Sequence, residues 1–345
     1  MTRQHEAAIL AASGAPLTII QRETPEPGPD EYLIEVKAVA VNPVDYAQRD
    51  LGMPPISSYP ACIGSDVAGI VAKIGAEVPA GSPKVGDRVL ALATSFYSAN
   101  PDHGAFQKFT IASSQCVVLL PSSIPFEAGA ILPLATLTAL SGWTSIGIPL
   151  NTKYTPGEKQ AVLIWGGASN VGTVTIQSAK SMGFIVYTTA SEKNHAYLST
   201  LGADRSFDYK SEDVVAQIVA AAKTDGVNLT IAYCCAVQTL GLILDVLKET
   251  KGDSTAKVAH APPLLPGSPT LDGVDVTFVL PPMEPAGRLQ HMYNCFRVWL
   301  QQGLNTGSIT PSPNSEIVGE GFSSVSDAID LIKAGVSRKK LVVKV

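Results

Sequence analysis

AVLIWGGASNVGTVTIQSAKSMGFIVYTTASEKN, residues 161–194, decides the fold. AVLIW (161–165) is a short, fully apolar run of the kind that forms a buried strand. It enters a Gly-rich turn, WGGASNVG (165–172), and NVGTVTIQSAKSMG, rich in small residues, is predicted to be helical. FIVYTTA (184–190) is a second strand. A strand, a glycine turn, a helix and a returning strand form the unit that receives a pyrophosphate. Its backbone can approach the ligand closely, and amides at the helix N-terminus point at it. Gly166 and Gly167 permit the approach, and Gly172 lets the helix lie close to the sheet. Ser169 stands where a variant of this pattern often has Gly. A dinucleotide is therefore expected on Gly166, Gly167, Ala168, Ser169, Asn170 and Val171.

The end of the second strand selects the cofactor. An NAD site usually places an acid there for the ribose 2′-OH. This chain has TTASEKN, with Ser191, Lys193 and Asn194. A hydroxyl and a cation suit a 2′-phosphate, so NADPH is expected, although Glu192 could fill the acid's role. Tyr209, in FDYK, either lies against the same phosphate or fills a core edge. Lys193 is either a phosphate ligand or a solvated residue at a helix start.

Around this unit strands and helices alternate. EKNHAYLSTLG reads as a helix, LTIAYCC (229–235) as a strand and TLGLILDVLKETKG as a helix. Such alternation implies a parallel sheet with right-handed crossovers, a doubly wound Rossmann domain. Residues 5–120 read instead as all-β, with short strands and frequent turn signals, which suits a small barrel. The character changes near residue 126, where EAGAILPLATLTALSGW reads as helical with an interruption at Pro133. Near the C-terminus, Ser324 and Asp327 suggest a capping box opening a helix, and KKLVVKV a final strand. The expected division is 1–125 with 301–345, and 126–300.

Composition excludes several classes of function. The 345 residues are 46% hydrophobic and 16% charged, with a net charge of −5, which argues against non-specific binding to nucleic acid or anionic membranes. No uninterrupted apolar stretch of about 18 residues is present. MTRQHEAAIL does not read as a secretion signal, so a cytosolic protein is expected. The cysteines at 62, 116, 234, 235 and 295 form no CxxC pair and the histidines are isolated, so no metal site is expected.

VNPVDYAQRD (41–50) follows the strand-like EYLIEVKAVA and reads, by itself, as a polar turn. Together with IGSDVAGIVAKIG (63–75), VGDRV (85–89), GAFQKF (104–109), LPLATLTAL (132–140), the WGGASNVG loop, LGAD (201–204) and KLVV (340–343), it resembles the medium-chain dehydrogenase/reductase superfamily over essentially the whole length. The chain looks most like the zinc-free quinone and enoyl reductases, closest to fungal enoyl reductases acting in trans with polyketide synthases. PDHGAF (101–106) and SFDYK (206–210) carry that last resemblance. It implies a GroES-like β-barrel domain beside the Rossmann domain.

Zinc-dependent relatives have a Cys where this chain has Asn42, and Gly-His-Glu where it has Gly64-Ser65-Asp66. Alcohol–ketone exchange without a Lewis acid is poorly supported. Hydride addition to a conjugated alkene or quinone needs only orientation and a donor to the developing oxyanion. The resemblance puts Asn42 and Pro43 beside the nicotinamide, Thr138 on its carboxamide or ribose, Val279 and Leu280 facing it, and Lys340 or its neighbour Lys339 near the cofactor or the cleft. Related enoyl reductases carry a Lys two residues after the Asp of this turn, where this chain has Ala47. Tyr46 is displaced by one position, so the proton source is Tyr46, water or the substrate. Asn42, Asp45 and Tyr46 are the candidate catalytic residues. The expected function is NADPH-dependent reduction of an activated C=C bond on a small enoyl or enone substrate, free or carrier-bound, by a monomer or homodimer. The alternatives are an NADPH quinone oxidoreductase and an NADPH-binding protein with decayed or repurposed catalysis.

Overall fold

The structure is a computed structural model, and it describes residues 3–345. They divide into two compact units, one ending at Leu134 and resuming at Met292–Val345, the other Ala135–His291. In the first unit β1 (Gln4–Leu10) pairs antiparallel with β2 (Leu17–Glu23). It continues with β3 (Glu31–Ala40), β4 (Asp66–Ile74), β5 (Arg88–Leu92), β6 (Phe109–Ser113) and β7 (Val117–Leu119). The second unit holds β8 (Gln160–Trp165), β9 (Ile185–Thr189), β10 (Arg205–Phe207), β11 (Asn228–Cys234), β12 (Ala256–His260) and β13 (Val274–Phe278). The chain returns to the first unit with β14 (Asn314–Glu320) and β15 (Lys339–Lys344).

The second unit's sheet runs β10-β9-β8-β11-β12-β13, with every pair parallel. The order reverses beside β8, and in such sheets ligands bind outside the carboxyl ends of the strands at that reversal. β8 is apolar because both its faces are covered: Ala161 to Ile164 are fully buried. The first unit's sheet runs β14-β15-β3-β4-β5-β7, with β6 also paired to β3. Its core gathers Ile34, Val36, Val67, Val89, Phe106 and Leu341. The fold is thus a GroES-like β unit joined to a Rossmann-type α/β unit.

Three details differ from the sequence reading. VNPVDYAQRD is not a turn: Pro43–Leu51 is an α-helix. Asn42 is its N-cap in extended conformation, Pro43 is its first residue, and Gly52 closes it at φ 61. An Asn before Pro is a helix-start signal, because Pro supplies the helical φ and lacks only an N–H that would have no partner. Second, the change of character near 126 marks where helices begin rather than where the first unit ends. The short helix Phe126–Gly129 packs on β3, β4, β5, β14 and β15. Third, Ser324 closes a 3₁₀ turn in helical conformation, so its hydroxyl turns back to Glu320 O at 2.9 Å instead of capping Val325–Ala334. No helix among the described residues is long and apolar enough to cross a membrane.

Candidate active site

The glycine loop is defined by missing side chains. Gly166 has φ 89, a left-handed conformation that Gly adopts without strain. A Cβ on Gly167 would stand 2.0 Å from Thr188 Oγ1 on β9, and one on Gly172 would stand 2.3 Å from the Gly166 carbonyl. The second and third glycines therefore hold the loop against β9 and the helix Asn170–Ser181 against the loop. Ser169, at the position of the absent glycine, is that helix's N-cap. Its Oγ accepts the Gly172 N–H at 3.0 Å and donates to Gly166 O at 2.8 Å. The Gly166 and Gly167 amides are tied to Thr189, at 3.1 Å to its Oγ1 and 3.0 Å to its O. The first-turn amides of such a helix have no intrahelical partner and carry the positive end of its dipole. Asn170 and Val171 lie in that turn.

At the end of β9 the chain turns through Ser191 into a 3₁₀ turn, Glu192–Asn194. Ser191 Oγ donates to the Tyr209 hydroxyl at 3.4 Å, so the sequence-predicted pair is adjacent. Tyr209 is half exposed, and Lys193 and Glu192 are exposed. Lys193 forms no ion pair among the described residues. Asn194 is buried, and its Oδ1 has no hydrogen-bond partner among the described residues. The loop's Cβ-free cradle fits the pyrophosphate of a dinucleotide.

Thr138 lies mid-way along the helix Pro133–Ser145, and its carbonyl accepts the Tyr233 hydroxyl at 2.7 Å. That helix lies close on β11, because a Cβ on Gly142 would meet the Tyr233 ring at 2.2 Å. Val279 follows β13, is buried, and donates its N–H to His260 O at 3.0 Å. Leu280 is exposed, and its carbonyl accepts Ser145 Oγ at 3.1 Å.

In the first unit, the candidates from VNPVD meet a network the sequence reading does not contain. Asn42 Nδ2 donates to Asp66 Oδ2 at 2.9 Å, and Asn42 Oδ1 accepts from Lys340 Nζ. Lys340 Nζ lies 3.2 Å from Asp66 Oδ2. The other carboxylate oxygen of Asp66 accepts the Leu134 N–H at 2.6 Å. Asp45 Oδ2 accepts the Asn42 N–H at 2.7 Å. All four side chains are buried, Lys340 at 3% exposure and both acids at 0%. Lys340 is therefore engaged inside the unit. Asp45 Oδ1 is buried without a hydrogen-bond partner among the described residues. Burial, only partly offset by the Asn42 N–H and by Lys340, raises the Asp45 carboxyl to about 7. Tyr46 is half-buried and packs on the unit's core, while Pro43 is exposed at the helix start. Asp66 is the member that sequence reasoning leaves unassigned to any site. The available signal is an acid at the head of the otherwise apolar DVAGIV, since a charge entering a buried strand needs partners.

The alcohol dehydrogenase GroES-like domain family matches residues 28–122, and the zinc-binding dehydrogenase family matches residues 170–255. The chain is 53% identical to the trans-enoyl reductase tndF of Aspergillus flavipes, over 99% of each protein. It is 57% identical to the trans-enoyl reductase tazE of Aspergillus terreus, over 84% of this chain and 96% of that one. Among solved structures, an alcohol dehydrogenase superfamily protein from Novosphingobium aromaticivorans shares the fold with a TM-score of 0.79, covering 99% of both chains at 23% identity. The glycine loop on a doubly wound sheet, the GroES-like unit and this whole-length identity make the chain an oxidoreductase of the medium-chain dehydrogenase/reductase superfamily, in the group of fungal trans-enoyl reductases.

Proposed function

We propose that the chain reduces the activated C=C bond of an α,β-unsaturated thioester or ketone with NADPH, on a polyketide-type intermediate carried by a partner synthase. The observation that carries this reading is the whole-length identity to tndF. NADPH, when bound, supplies a hydride. The chain's own residues bind and orient. The Asn170–Ser181 helix start and the glycine loop receive the pyrophosphate. Ser191, Lys193 and Tyr209 recognise the 2′-phosphate, a dianionic phosphomonoester with three acceptor oxygens that a Lys and two hydroxyls suit better than they suit a lone ribose hydroxyl. Thr138, Val279 and Leu280 border the nicotinamide.

In the first unit the Asn42 amide is bonded at both ends, so it frames the site rather than donating to the substrate. The hydrogen bond to the developing enolate oxygen then falls to the Tyr46 hydroxyl, one turn along the same helix. In this reading the enzyme is cytosolic, with Cys62, Cys116, Cys234, Cys235 and Cys295 all free thiols.

The test follows NADPH absorbance with a crotonyl thioester, simple enones and quinones in parallel, alongside NADPH and NADH titrations. Turnover of thioester or enone with NADPH bound more tightly than NADH is the expected outcome. Turnover of quinones alone would replace the acceptor class, and tighter NADH binding would replace the cofactor. A Tyr46→Phe variant at full rate would remove Tyr46 as donor.

A further inference from the structure

Lys340 is the least expected charge in the first unit. Its ammonium is buried against Asp66 and donates to Asn42 Oδ1, while Asp66 also holds Asn42 Nδ2 and the Leu134 N–H. Stability does not explain such a pair, because apolar residues of similar volume commonly serve a buried position as well or better. What this pair does that apolar residues cannot is orient an amide. The oxygen and nitrogen of a side-chain amide are nearly the same size, so packing hardly distinguishes its two orientations. Here charge distinguishes them. The oxygen faces an ammonium and the NH₂ faces a carboxylate; the flipped amide would set both against like charge.

The orientation matters beyond Asn42 itself. Asn42 caps the helix Pro43–Leu51, and its N–H is held by Asp45 from the helix's first turn. Asp66 holds the Leu134 N–H in the first turn of Pro133–Ser145 with its other oxygen. One cation, contributed by β15, thus holds the side chain of the N-cap residue of a helix that begins 297 residues earlier in the chain, counted from Pro43 to Lys340. That helix carries Tyr46.

We propose that Lys340 is a positioning residue for the acceptor end of the site: its buried ammonium, set against Asp66, locks the Asn42 amide and the helix turn that presents Tyr46. The inference rests on the enoyl-reductase reading for its kinetic consequence and on the network alone for its structural one. It assigns Lys340 a different task from direct contact with the cofactor.

The experiment compares wild type with Lys340→Met, Lys340→Arg, Asp66→Asn and the double variant Lys340→Met/Asp66→Leu. NADPH affinity is read by fluorescence, folding by thermal midpoint, and turnover with a crotonyl thioester. For Lys340→Met the proposal expects NADPH affinity within about two-fold of wild type and kcat lower by roughly ten- to a hundred-fold. Lys340→Arg, which keeps the charge, should recover part of the loss, and Asp66→Asn should lose rate in the same way. The double variant should regain the thermal midpoint and not the rate. NADPH affinity falling ten-fold or more at unchanged kcat would overturn the proposal in favour of cofactor contact. Full rate in the double variant would reduce the pair to charge balance and also overturn it.

A separate readout needs no turnover. The Asn42 side-chain amide protons, identified by their loss in Asn42→Asp, should exchange slowly in wild type and rapidly in Lys340→Met. Equal exchange in both overturns the proposal. If no acceptor is reduced by any form, the enoyl-reductase reading fails while this readout still decides the role of Lys340.

Discussion

Two strand-to-helix turns in this protein do opposite things with the same backbone plan. At WGGASNVG, β8 runs into a helix capped by Ser169; at AVNPVD, β3 runs into a helix capped by Asn42. In the first turn the working feature is absence. Cβ atoms missing from Gly167 and Gly172 let the turn close on Thr188 and on its own carbonyl. In the second turn the working feature is occupation. Asp45, Asp66 and Lys340 consume the Asn42 polar groups, and nothing in that amide is left for a ligand. A turn emptied of side chains is suited to receive a ligand, and a turn filled with charge is suited to hold its neighbours still.

The comparison can be broken at its strongest point by removing one member of the filled turn. Asp66→Leu leaves Lys340 buried without its carboxylate and Leu134 N–H without its acceptor. Loss of one partner of a buried pair costs about 3–5 kcal/mol. A large fall in denaturant midpoint is expected, and a midpoint unchanged from wild type would show that the ammonium finds water. The emptied turn is tested by Gly172→Ala, whose Cβ would lie 2.3 Å from Gly166 O. The loop must shift, and NADPH affinity should fall by roughly a hundred-fold, equivalent to about 2.7 kcal/mol. Isothermal titration checks it.

Smaller effects sharpen the contrast. Ser169→Ala removes a cap whose loss typically costs about 1 kcal/mol, so a modest drop in stability with the loop still able to bind NADPH is expected. Thermal melts with and without NADPH separate those two effects. The last effect is read against pH and belongs to Asp45. Its carboxyl is raised from 3.8 to about 7 in the folded chain, so between those values the folded state binds more protons than the unfolded one. This contribution to stability is present at low pH and is lost as pH rises through that window. Asp45→Asn should flatten this part of the dependence of thermal midpoint on pH. An identical slope in wild type and variant would show that Asp45 does not titrate there.

How far each turn is legible in the sequence follows from the same contrast. Gly166, Gly167, Ser169 and Gly172 lie within seven residues of one another, 166 to 172, and their meaning is local backbone geometry. Ser191 and Tyr209 were also placed together by reading strand ends, and they are adjacent in the structure. The Pro43–Leu51 helix had a local signal in Asn-Pro-Val-Asp, but following a long strand it reads equally as a turn. Lys340 next to Asn42 had no local signal at all. A Lys in KKLVVKV looks like any alternating strand charge until β15 pairs antiparallel with β3, bringing Val342 opposite Ala40.

Beside the superfamily resemblance that its motifs carry together, the amino-acid sequence by itself determined the strand–helix periodicity, the glycine loop, and the hydroxyl and cation at the end of β9. These are short-range properties: φ preferences, side-chain volume and residue spacing act over a few neighbours. Tertiary structure alone decided which charges are buried together. Placing Lys340, Asp66, Asn42 and Asp45 in one network requires the pairing of β15 with β3 and of β3 with β4, and the sign and cost of a charge depend on what surrounds it rather than on its position in the chain.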